Sequence, residues 1–237
     1  LFVYVGGESE QWVSDALKEA KNKNMLVVDM MDVLKERIKE EEHVEGMKEE
    51  RGHDHDEDDA EHEEHEVEHE EDEADHEEHG QEETHSLDDV HKKTYEENTI
   101  RYLNDIDDLN HQYEQVVENA TTKTLLFADR FPFRYLTDDY ELTYYAAFTG
   151  CSAETDASFE TITFLAGKLD ELKLPVVFTI ENSDQKIAKA VIENTKTKDQ
   201  KILSLNSMQS VTKKEVEEGT TYLSIMENNL EILKEAL

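Results

Sequence analysis

Eight histidines, His53, His55, His62, His65, His69, His76, His79 and His85, stand in or beside a run that reads HDHDEDDAEHEEHEVEHEEDEADHEEHGQEE over residues 53–83 and contains no Lys or Arg. Neutral imidazole is a preferred ligand for zinc and copper, and carboxylate oxygen completes such shells, so this composition suits capture of a divalent metal ion. An acidic tract alone reads as a solvated spacer; the imidazoles are what a spacer does not need, and His-rich tracts read as metal binding. His62, His65, His69 and His76 are spaced by three, four and seven, so a helical turn formed there would line them along one side. A proton competes with the metal for each nitrogen, and the neighbouring carboxylates favour the imidazolium form, so capture is expected to weaken as pH falls toward 6. A flexible string of ligands loses conformational entropy each time it wraps an ion, which predicts several ions held loosely rather than one held tightly.

A tight site needs ligands fixed on rigid elements, and the rest of the sequence shows where those are. Leu1 to Val5 reads as a strand ended by Gly6-Gly7, with Ser9 at an N-cap position before a helix carrying Trp12, Val13, Ala16 and Leu17. Met25 to Val28 reads as a second strand, and Val33, Leu34 and Ile38 as a second short helix. This β-α-β-α order predicts a parallel sheet. From about Lys92 to Asn119, apolar residues recur at three- and four-residue steps through Tyr95, Tyr102, Leu103, Ile106, Leu109, Tyr113, Val116 and Val117, which predicts one long helix of ~40 Å. Beyond Lys123 the alternation resumes: strand TLLFAD, helix FRYLTDDY, strand LTYYAAF, a helix through Phe159, Ile162, Leu165, Leu169 and Leu172, strand VVFTI, a helix through Ile187, Ala188, Val191 and Ile192, strand KILSL, and a last helix from about Thr221 to Leu237.

The expected fold is α/β with two Rossmann-like lobes joined by a long helix. Residues 1–50 form a partial first lobe, 51–85 a disordered acidic and His-rich loop, 86–120 the linking helix and 121–237 a complete second lobe. The start at Leu1, inside a strand-like run, carries the expectation that upstream sequence is missing. Ligands in open α/β sheets sit beyond the carboxyl ends of the strands. Asp129, Ser152 to Glu154, Glu181 and Asn206 fall there, with Asp129 and Glu181 the carboxylate candidates.

Composition excludes several functions. The formal charge of −36, from 60 acidic and 24 basic residues, repels phosphate backbones, so nucleic acid is not an expected partner. Cys151 is the single cysteine, which rules out a disulfide framework and a CxxC zinc site. No apolar run approaches the ~20 residues that span a bilayer. HEEHE at His62 to Glu66 lacks the HExxH spacing of a hydrolytic zinc site, and no GxSxG, GxxxxGKS or GxGxxG occurs, so catalysis is not expected. Hard oxygen-seeking ions such as calcium would leave the imidazoles unexplained.

The strand and turn LFVYVGGESEQWV, the His-rich loop, the long helix, FADRFPFRYLTDDYEL and the terminal α/β lobe, in that order, resemble the substrate-binding proteins of zinc and manganese ABC importers, most closely the zinc branch. The resemblance implies a zinc ion, or another divalent transition metal, held between two lobes and handed to a membrane permease. It also implies an extracytoplasmic place, as a surface lipoprotein or in a periplasm, and a monomer. Family ligands carry over only in part. The family's first His lies upstream of LFVYVGG; the stretch that normally follows the loop is absent, leaving His85 as a substitute; Arg130 of RFPFRY stands at the His of an HxAFxY pattern; and Asn206 falls near the expected Asp. Arg130 stays protonated and cannot ligate a metal, and its expected role is an ion pair with Asp129, Asp138 or Asp139.

Overall fold

A computed structural model describes residues 1–7, 10–22, 25–39, 42–47, 90–150 and 156–237. Two compact units divide them, one from Leu1–Ile38 and the described part of Asp54–Tyr102, the other from the described part of Lys39–His53 and Leu103–Leu237.

In the first unit, β1 (Phe2–Tyr4) and β2 (Val27–Asp29) pair in parallel, Val3 opposite Val28. The chain leaves β1 through Gly6 at φ 94°, where a Cβ would lie 2.5 Å from Asp29 Oδ1, so only glycine fits this turn. Helix α1 (Trp12–Glu19) follows with Gln11 at its N-cap; the expected Ser9 cap lies outside the described residues. Asp29 ends β2 and caps α2 (Met30–Leu34), its Oδ1 accepting from the amides of Met31 at 3.0 Å and Asp32 at 3.2 Å. β2 therefore sits a little later than Met25 to Val28 suggests, because the capping carboxylate fixes the strand end. A 3-10 turn, Lys35–Arg37, replaces the rest of the expected second helix. Val13 is buried in this unit, whereas Val3, Val5, Trp12 and Val33 are exposed.

Helix α3 (Lys92–Glu118) matches the apolar periodicity in extent. Its burial is uneven. Leu109, Tyr113 and Val117 are buried in the second unit's core, while Tyr95, Tyr102 and Leu103 on the same expected stripe are exposed.

The second unit is built on a four-stranded parallel sheet ordered β4-β3-β5-β6, from β3 (Thr124–Phe131), β4 (Thr143–Thr149), β5 (Val176–Ile180) and β6 (Lys201–Leu205). Strand alternation splits its side chains between two cores. Leu125, Phe127, Val176 and Phe178 face α3 and α8 (Tyr222–Ala236), and Leu126, Ala128 and Val177 face α5 (Phe159–Leu172) and α6 (Lys186–Glu193). Burial on both faces explains why VVFTI reads as one unbroken run. Short helices α4 (Arg134–Asp139) and α7 (Lys213–Glu217) complete the unit. Ser158 caps α5, and capping boxes of Thr212 with Glu215 and Thr221 with Ser224 start α7 and α8.

Candidate functional site

In the strand order β4-β3-β5-β6 the chain leaves β3 toward β4 on one side and β5 toward β6 on the other. The crevice beyond the carboxyl ends of β3 and β5 is thus the topological switch point, the standard ligand position of an open α/β sheet. Glu181, the first residue after β5, stands there, whereas Asp129 lies two residues before the end of β3.

Asp129 lies within β3 rather than after it, at the irregularity where the pairing with β4 shifts between Phe127 and Arg130. Its Oδ1 accepts from the Arg130 amide at 2.8 Å; its Oδ2 accepts from Ser183 Oγ at 2.6 Å and the Ile180 amide at 3.5 Å. This carboxylate ties the bulged end of β3 to the turn after β5. Glu181 directly follows β5 and accepts from Ser207, the amide at 2.8 Å to Oε2 and the hydroxyl at 2.7 Å to Oε1. A carboxylate offers about four lone-pair directions, so Glu181 is the less committed of the two.

Asn206, directly after β6, is held by the buried side chain of Asn229: its amide donates to Oδ1 at 2.9 Å and its carbonyl accepts from Nδ2 at 2.9 Å. Its own Oδ1 accepts from the Met208 amide at 2.8 Å. The sequence reading had no place for Ser183, Ser207 or Asn229. An Asn inside the apolar stripe of the last helix was the available signal, since a buried amide there needs partners.

Arg130 makes no ion pair among the described residues, contrary to expectation. Arg134 takes that role, with Nη2 3.1 Å from Glu42 Oε2 and Nη1 3.5 Å from Asp138 Oδ1. The reason is helical spacing: Arg134 and Asp138 are four apart on α4 and share a face, whereas Arg130 belongs to a strand. Tyr144 Oη donates to Glu42 Oε1 at 3.0 Å, and Lys39 Nζ lies 2.8 Å from Asp138 Oδ2. The hydrogen bond from Lys39 holds the Asp138 carboxyl below its ordinary range, with the charges of Lys39 and Arg134 adding to it.

His53, His55, His62, His65, His69, His76, His79 and His85 lie outside the described residues, as do Cys151 and Ser152 to Glu154. Among the described residues no three His, Cys, Asp or Glu side chains gather closely enough to hold a metal ion, and no helix is long and apolar enough to cross a membrane.

The second unit is thus an open parallel α/β sheet with one carboxylate, Asp129, in the last residues of β3 and another, Glu181, just after β5. A match to the family described as "Zinc-uptake complex component A periplasmic" runs over residues 1–236, and the chain belongs to that family, one of solute-binding components rather than enzymes. The chain is 28% identical over 146 residues to the zinc-binding lipoprotein AdcA of Streptococcus pneumoniae (strain ATCC BAA-255 / R6), covering 61% of this chain and 28% of that protein. It is 26% identical over 150 residues to the high-affinity zinc uptake system protein ZnuA of Bacillus subtilis (strain 168), covering 63% of this chain and 46% of that one. The chain thus spans less than half the length of these relatives. Among solved structures, the Zn(II)-bound ZnuA-like domain of Streptococcus pneumoniae AdcA superposes with a TM-score of 0.54 at 25% identity, over 67% of this chain and 58% of that one. The metal-dependent lipoprotein YcdH of Bacillus subtilis superposes over 100% of this chain and 80% of its own with a TM-score of 0.66 at 21% identity, a likeness of fold.

Proposed function

We propose that this chain is the extracytoplasmic zinc-capturing component of an ABC-type metal importer, taking up a divalent transition metal and passing it to a membrane permease. The observation that carries this reading is the coincidence, in one chain, of a zinc-uptake family match over residues 1–236 with a tract of eight imidazoles. In this account His53, His55, His62, His65, His69, His76, His79 and His85 collect ions loosely. Asp129 and Glu181 supply carboxylates at the switch-point crevice, on lone pairs that their internal hydrogen bonds leave over. Zinc is the preferred cargo because imidazole with carboxylate is a borderline donor set, whereas magnesium and calcium favour oxygen alone. The protein acts as a monomer, since its stated work needs one chain and one ion source.

A second reading, a relative that only binds or buffers metal through the His-rich tract, is favoured by the lack of a three-ligand group among the described residues. Isothermal titration with zinc, on the intact chain and on one lacking residues 53–85, separates the two. One tight site surviving the deletion supports import; loss of all tight binding supports buffering. An intact chain that takes up no zinc contradicts both.

A further inference from the structure

The edge of the second unit opposite the switch-point crevice carries a cavity of about 560 Å3, within the ~300–1,000 Å3 of small-ligand pockets. It lies at the amino ends of β5 and β6, where the chain enters those strands through Lys173 to Pro175 and Lys196 to Gln200. β5 is five residues long, so about 16 Å separate this edge from the crevice. The floor is apolar, made by the buried residues Leu169, Leu174 and Val176. The rim sets Lys173, Lys196 and Lys201 among Asp170, Asp199 and Glu235. Part of that set is already committed. Both Asp170 carboxylate oxygens accept from the Lys196 amide, at 3.0 and 3.3 Å, and Lys201 Nζ lies 2.6 Å from Glu235 Oε1. The Lys173 and Lys196 ammonium groups make no ion pair among the described residues, and the Asp199 carboxylate accepts no hydrogen bond among them. A chain of net charge −36 repels anions over most of its surface, so two uncommitted cations above an apolar floor mark a place where an anion can settle.

The walls of the cavity are preformed. The Lys198 amide donates to Oγ1 of the buried Thr195 at 3.1 Å, Gln200 Nε2 donates to Thr197 Oγ1 at 3.0 Å, and the Lys201 amide donates to the Pro175 carbonyl at 2.9 Å. A ligand entering there orders little that is loose, which favours binding. Lys173 closes α5 at φ 55°, a left-handed C-terminal position that glycine usually fills. Glycine would relieve that backbone and remove the cation. We propose that this cavity binds a small organic carboxylate with an apolar body, its charge taken by Lys173 and Lys196 and its body by Leu169, Leu174 and Val176. The ligand is a monoanion, because Asp199 offsets one of the two free cations. This site uses none of the groups assigned to metal capture and stands or falls apart from it.

Amide NMR of the intact chain, titrated with hexanoate, tests the proposal. The amides of Leu174, Lys196 and Lys201 are expected to shift saturably, while that of Ser207 at the opposite edge stays in place. Acetate, which lacks the apolar body, and 1-hexanol, which lacks the charge, are each expected to bind there at least about fivefold more weakly. Lys173→Gly suits its backbone, and Lys196→Gln keeps the amide that holds Asp170. Each is expected to weaken hexanoate by about fivefold without lowering the thermal midpoint. Asp199→Asn removes an anion from the rim and is expected to strengthen hexanoate by about twofold or more, a readout that remains should either lysine variant unfold. Hexanoate that leaves the three amides unmoved, or that binds no better than hexanol, overturns the proposal. Affinity unchanged in all three variants overturns it as well.

Discussion

Arg134 divides its guanidinium between Glu42 and Asp138, and its buried Nε finds no acceptor among the described residues. Removing one carboxylate therefore leaves a partly buried cation short of partners. Glu42→Ala is expected to destabilise the second unit by about 1–3 kcal/mol, read from chemical denaturation, with the Tyr144 hydroxyl losing its acceptor at the same time. Asp138 sets a pH limit on the same cluster. Its folded-state value lies below the unfolded one, so its contribution is complete above about pH 4 and disappears as pH falls through the depressed value. The resonance of the Lys39 amide, which donates to Tyr135 Oη at 3.1 Å, is expected to report undocking only in that acid range, and Asp138→Asn is expected to remove the acid limb. At the crevice, Ser183→Ala deprives Asp129 Oδ2 of its hydroxyl donor and is expected to cost about 1 kcal/mol, measured by thermal unfolding. The place of Glu181 was legible in the sequence because it follows an apolar run, whereas Asp129, expected beyond TLLFA, lies within the strand that continues to Phe131. Their partners were not, since Ser183 is 54 residues from Asp129 and Ser207 is 26 from Glu181, and such pairings depend on strand order.

Helix α3 is anchored to the second unit by its last turns. Tyr113 donates to the Met226 carbonyl at 2.7 Å and stacks on Tyr140 at 5.2 Å between centroids, and Tyr140 donates to Asn110 at 2.8 Å. Burial pushes the Tyr140 hydroxyl up to about 12, so both phenols stay protonated donors through the physiological range. Leu109→Ala is expected to cost about 2–5 kcal/mol by chemical denaturation, whereas Leu103→Ala, earlier on the same helix and exposed, is expected to change stability by less than about 0.5 kcal/mol. This contrast marks the limit of periodicity as a guide. The three- and four-residue steps located the helix to within a residue or so, yet Tyr95, Tyr102 and Leu103, which lie on those steps, are exposed. An apolar stripe states what a helix could bury; the neighbours it meets decide what it does bury. The reverse case is α7, whose sequence KKEVE has no apolar period and whose start is set by the Thr212 capping box alone.

At the scale of the whole molecule, an acidic chain of net charge −36 combines a four-stranded parallel-sheet unit with a tract of imidazoles and carboxylates. The order of strands and helices in the second unit was readable because a sheet covered on both faces forces long apolar runs with helices between them. Metal capture is proposed from composition, since residue types show what could bind and spacing along a polar tract does not fix a geometry. Because protons and metal compete for the same nitrogens, zinc uptake is expected to fall at least severalfold between pH 7.5 and pH 5.5, measured by zinc titration at constant ionic strength. The negative charge alone would attract any dication, so selectivity is the decisive property. Equilibrium dialysis of the intact chain at pH 7.5 against zinc in the presence of a large excess of magnesium tests it directly. The account predicts several zinc ions per chain, most of them lost on deleting residues 53–85; zinc displaced in proportion to the magnesium supplied would contradict it.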